Sequence, residues 1–69
     1  MATTIGRVTE INATSDTSFD DAIKGGIARA HKTLRGVKGA WIKEQKVIVK
    51  DGVIKSYRVN LLVTFVVDD

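Results

Sequence analysis

The alternation of apolar and polar positions starts near the beginning of the chain. From Ile5 to Ile11 the pattern is loosely alternating and the apolar residues are β-branched, which predicts a first strand bounded by about Thr3 and Asn12. Asn12 to Ser18 is a polar run of Asn, Ala, Thr, Ser and Asp, the chemistry of a turn. It closes on a helix-start signal. The hydroxyl of Thr17 or Ser18 can accept a free backbone N–H, and Asp20 and Asp21 follow in the first turn, where the helix dipole favours negative charge. The period then changes to three and four residues. Phe19, Ala22, Ile23, Ile27, Ala30 and Leu34 make one apolar stripe, predicting a helix from about Phe19 to Arg35. Lys32 and Arg35 suit its last turn, and Gly36 is the expected C-cap. Gly25 and Gly26 interrupt this agreement, because mid-helix glycines cost about 0.5–1 kcal/mol each relative to alanine. Close backbone packing against the sheet or a neighbouring chain is the expected reason.

Ala40 to Lys50 is β-rich, Asp51-Gly52 breaks it, and Val53 to Val67 is a second long β run. Asp-Gly between two such runs predicts a tight hairpin. The fold class is therefore α+β: a β-α-β-β order, with a three-stranded antiparallel sheet and one helix packed on one face. Along the last strand, Tyr57, Val59, Leu61, Val63, Phe65 and Val67 share a face that fits under the helix, while Arg58, Asn60, Leu62 and Thr64 share the other. One helix covers one face. The opposite face, carrying Trp41 and Leu62, is expected to meet another subunit.

Composition sharpens that expectation. At 69 residues the chain is one domain, 1–69, near the lower limit for a self-sufficient core. With no cysteine, disulfides and thiolate metal sites are excluded, and a lone histidine, His31, leaves zinc short of ligands. Self-association is the remaining way to stabilise so small a core. The 11 basic and 8 acidic residues are interspersed, giving a net charge of +3. No clustered basic face stands out, so nucleic acid is not an expected partner. The longest strongly apolar stretch, Leu61 to Val67, is far short of the roughly 20 residues needed to cross a bilayer. Met-Ala-Thr-Thr is not a basic-then-apolar leader, so a cytoplasmic location is expected.

At this point the residues resemble a known family. The run Asp21-Ala22-Ile23-Lys24-Gly25-Gly26-Ile27-Ala28-Arg29-Ala30 is similar to the helix of the dodecins. Ala13-Thr14-Ser15, Lys32-Thr33-Leu34-Arg35, the Asp51-Gly52 hairpin and Tyr57-Arg58-Val59 resemble the same family without a gap, over about residues 4 to 67. The resemblance implies a hollow homododecamer that binds and stores flavin, riboflavin or FMN, without transforming it. It implies a tryptophan at the start of strand two stacked on the isoalloxazine ring, and a glutamine early in strand three on the ring's polar edge. Ligands would sit in pairs at subunit contacts. This sequence departs at both positions: Gly39 stands where the tryptophan is expected and Arg58 where the glutamine is expected. Trp41 lies two residues further on, about 7 Å along a strand. A second branch of the family, described as calcium-binding, is similar in its Tyr57-Arg58-Val59 context and in Glu44-Gln45. A cage that binds calcium or another ion, or is purely structural, is the alternative.

Three residues are the ligand-binding candidates. Trp41 either stacks on an aromatic ligand or anchors a subunit interface. Arg58 either takes a phosphate or carboxylate on its planar fork, or makes a structural ion pair with Glu44 or Glu10. Gln45 either bonds a ligand edge or makes a polar interface contact; strand parity puts it on the face of Trp41 unless a β-bulge intervenes. His31 reads as a helix residue near the C-terminal end of the dipole. Asp16, Asp20 and Asp21 read as helix capping in preference to a calcium loop, and Asp68 and Asp69 as a solvated tail. No nucleophile–base arrangement or phosphate-cradling glycine loop is present in the sequence, so a non-catalytic protein is expected.

Overall fold

The computed structural model describes residues 3–66. Val67, expected on the covered face of the last strand, and the expected tail of Asp68 and Asp69 lie outside them. The elements follow the predicted order: β1 (Gly6–Ser15), α1 (Phe19–Thr33), β2 (Val37–Lys50) and β3 (Val53–Val66). The three strands form one antiparallel sheet in the order β1-β3-β2, with β3 central.

Strand β1 runs further than its sequence pattern predicts. Asn12 to Ser15 is not turn but strand, opposite Asn60 to Tyr57 of β3. Pairing with Tyr57 to Val66 of β3 overrides the turn preference of these polar residues, and the pleat uses both of their faces. Ala13 and Ser15 point to the helix side with Val59 and Tyr57, Asn12 and Thr14 to the open side with Asn60 and Arg58.

Ser15, the one buried polar residue among those described, then organises the helix start. Its Oγ donates to Asp21 Oδ2 at 2.7 Å and accepts the Thr17 backbone N–H at 2.9 Å. Of the two expected caps, Ser18 is the N-cap: its Oγ accepts the Asp21 N–H at 3.0 Å. Phe19 meets Tyr57 edge-on, with centroids 5.1 Å apart, and pins this end of the helix to β3. The helix ends earlier than Arg35. Leu34 is the C-cap, in extended conformation, and its N–H bonds the Ala30 carbonyl. Gly36 supplies the positive φ, 74°, two residues later, and its carbonyl accepts the Val66 N–H.

The core is small. Val59, Leu61 and Val63 are fully buried under Ala22 and Ala30, ringed by Ile11, Ala13, Phe19, Ile23, Ile27, Leu34 and Val37. Gly26 lies at the closest approach: a Cβ there would come within 3.1 Å of Ala13 Cβ and 3.2 Å of Leu61 Cδ1. Packing on the sheet accounts for Gly26. It does not account for Gly25, where a Cβ would meet nothing within 4 Å. Beyond the helix, β2 and β3 continue as a hairpin arm that closes on Asp51 (φ 53°) and Gly52 (φ 75°), the paired positive φ of a tight two-residue turn. The described residues measure 57 × 19 × 13 Å overall.

Candidate functional site

The face that the helix leaves open is read off the register in rows across β1, β3 and β2. Val8, Thr64 and Gly39 form one row, and Glu10, Leu62 and Trp41 the next. Asn12, Asn60 and Glu44 follow, then Thr14, Arg58 and Lys46. Trp41 stands where strand parity predicts, on the open face beside Leu62, and is 51% exposed. Thr64 Oγ1 donates to the Gly39 carbonyl at 3.0 Å, so the position of the displaced aromatic is occupied by bare backbone.

Between Ile42 and Glu44 the register shifts, with Lys43 as the extra residue. This bulge reverses parity along the rest of β2. Gln45 consequently stands opposite Val59, a helix-side residue, and Glu44 takes the row of Asn60. Lys43 itself reaches across to Glu10, with Nζ to Oε1 at 3.4 Å.

A cleft of about 230 Å³ opens over the lower two rows, lined by Asn12, Glu44, Gln45, Lys46, Arg58 and Asn60. Gln45 and Arg58 thus share one cleft, whereas Trp41 lies outside its lining, on the row above. Sequence reasoning placed Asn60 on this face but gave it no role. It missed Asn12, which was assigned to a turn, and Lys46, whose parity depends on the bulge.

The polar groups of the cleft are tied together. Asn12 Nδ2 donates to Asn60 Oδ1, and Asn60 Nδ2 in turn reaches Glu44 Oε1 at 3.3 Å and Glu10 Oε2 at 3.4 Å. Arg58 makes no ion pair with Glu44 or Glu10 among the described residues. Its Nε donates instead to Thr14 Oγ1 at 3.2 Å. The carboxylates it was expected to meet are engaged by Asn60 and Lys43.

This topology has counterparts among known proteins. A sequence profile of the family described as Dodecin matches residues 5–68, nearly the whole chain. The chain belongs to the dodecin family. The dodecin from Streptomyces davaonensis is similar over 99% of this chain and 100% of its own, at 34% identity and a TM-score of 0.92. A mutant of the Thermus thermophilus dodecin is 30% identical over 97% of this chain and 100% of its own, with a TM-score of 0.91. The calcium dodecin from Mycobacterium tuberculosis, described as having a novel calcium-binding site, is 28% identical over 93% of this chain and 91% of its own, with a TM-score of 0.81. No curated protein sequence matches. Its relatives thus include one described as calcium-binding. Among its described residues no three His, Asp or Glu side chains gather in a way that could hold a metal ion. No helix among them is long and apolar enough to cross a membrane.

Proposed function

We propose that this dodecin is a non-catalytic homo-oligomer, built on the dodecameric plan, that sequesters flavin between subunits on the open face of its sheet. The observation that carries the reading is Trp41: a large aromatic, half exposed, on a sheet face that the chain's own helix cannot cover. A flat indole in that position offers a stacking surface to a ring system. The hydrogen-bonding rows of Asn60 and Arg58 beside it offer polar partners for the rest of the ligand. With Gly39 where the family likeness implies a tryptophan, Trp41 carries the aromatic two residues along β2 on the same face. Titrating riboflavin or FMN into ligand-free protein tests this. Quenching of flavin emission at micromolar protein is expected, and undiminished emission would sink the reading.

A second reading has its own support. The calcium dodecin of M. tuberculosis is similar over most of the chain, and Glu10 and Glu44 converge on the Asn60 amide. In that reading the cage binds calcium through carboxylates gathered from more than one copy, since the described residues of one copy bring too few together. Calcium-dependent thermal stabilisation supports it. A chelator that leaves melting temperature and assembly unchanged removes it.

A further inference from the structure

The helix does not cover the whole of its own side of the sheet. It packs over β1 and β3, and of β2 only Val37 joins the packed shell. Pairing sets which other β2 residues share that side. Ile42 stands opposite Leu61, Val47 opposite Tyr57 and Val49 opposite Ile54. Between Ile48 and Val49 the register shifts, with Lys55 as the extra residue on β3. This bulge on the arm turns Ile54, which strand parity alone puts on the open face, to the helix side beside Val49. Ile42, Val47, Val49 and Ile54 thus line one strip along β2 and the hairpin arm, each between 37% and 56% exposed. Together they expose on the order of 300 Å² of apolar surface, the scale that marks an interaction site on a small domain.

The opposite flank of the helix is uncovered as well. A groove of about 330 Å³ runs between α1 and β1, lined by Ile11, Gly26, Ala30 and Leu34 together with Thr9 and Thr33. The strip has no helix over it, and the groove is the apolar flank of a helix with no element beside it. A second copy supplies what each surface needs. Resting on the reading that this dodecin is a homo-oligomer, we propose that the β2 strip and hairpin arm of one copy seat in the α1–β1 groove of the next. The two surfaces differ and lie on opposite flanks of α1, so the contact is heterologous: every copy gives an arm and receives one. Such a contact builds a ring, whereas self-pairing of the open face closes at two copies. The contact is separate from the face that carries Trp41, so it forms without ligand.

The chain has no cysteine, so introduced thiols report on this contact alone. Ile54→Cys and Thr33→Cys are prepared singly and co-expressed, and each sample is treated with a short bismaleimide without added ligand. Cross-linked pairs are expected in the co-expressed sample, well above either variant alone. Linking of Ile54→Cys to itself as readily as to Thr33→Cys sets arm against arm and overturns the proposal, as does a multimer in which the mixed pair does not link. Native mass spectrometry gives a second readout. Ile54 is half exposed and outside the core, so Ile54→Asp leaves the fold of the subunit intact. Its native mass should fall from the full assembly to two copies held by the open face, and an unchanged mass overturns the contact. A monomeric unmodified chain overturns the homo-oligomer reading and this contact together, whereas the other negative results overturn the contact alone.

Discussion

Gly25 and Gly26 are neighbours with the same intrinsic helix cost and opposite surroundings. Alanine at Gly25 gains helix propensity against open space, so Gly25→Ala should stabilise the subunit by about 0.5–1 kcal/mol. Alanine at Gly26 gains the same amount but presses on Ala13 and Leu61, and overpacking of this kind costs about 1–3 kcal/mol. Gly25→Ala should therefore be the more stable of the two in denaturant titrations; the reverse order would place a neighbouring copy against Gly25. At Trp41 the expected effect falls on binding. Loss of a stacking surface is worth about 1–3 kcal/mol, so Trp41→Ala should weaken flavin binding by about fivefold or more in a fluorescence titration. Arg58 belongs to the same scale. Its neighbours are a hydroxyl and a lysine rather than the acids that chain charge alone would assign to it.

The helix is specified by local signals that agree with each other: a Ser cap, two acids in the first turn and an apolar stripe. At its start Ser18 Oγ holds the Asp21 N–H and Ser15 links strand to helix. Ser18→Ala should cost about 1 kcal/mol, read as a lower melting temperature with the same spectrum of secondary structure. The hairpin is specified just as locally, by two adjacent positive-φ residues. The first strand is the opposite case. Asn12 to Thr14 has turn composition and becomes strand because β3 offers a partner along its whole length. The bulge at Lys43 is likewise invisible in a sequence of β-formers, yet it decides which of Glu44 and Gln45 faces the open side.

As a whole molecule the single chain is under-buried. Among the described residues five hydrophobics form the buried core, while Val8, Trp41, Val49, Val53 and Ile54 are each about half exposed or more. The Cα radius of gyration is 14.4 Å, against roughly 11 Å for a compact chain of this length. Strands β1 and β2 are both free edges, and the hairpin arm extends past the helix with apolar residues near its tip. All three features call for further copies to cover them. Leu62, central on the open face, lies half-buried between Glu10 and Trp41. Leu62→Asp should shift native mass from a multimer toward the subunit and lower the melting temperature, because it puts a charge into the surface that copies would bury. An unchanged mass would place the interface elsewhere on the chain.

The sequence by itself determined the element order, the hairpin, the helix start and the two faces of β3, because each rests on a short-range period, cap or turn that the residues carry with them. It also determined that one sheet face stays open and that Trp41 lies on it, since one helix covers one face. The tertiary structure alone decided the rest. How far β1 runs depends on pairing with a distant strand. Which β2 residues join the cleft depends on one bulged residue. Which partner Arg58 takes depends on where Lys43 and Asn60 have already drawn the two glutamates. These are long-range choices between competing partners, and local pattern does not rank them.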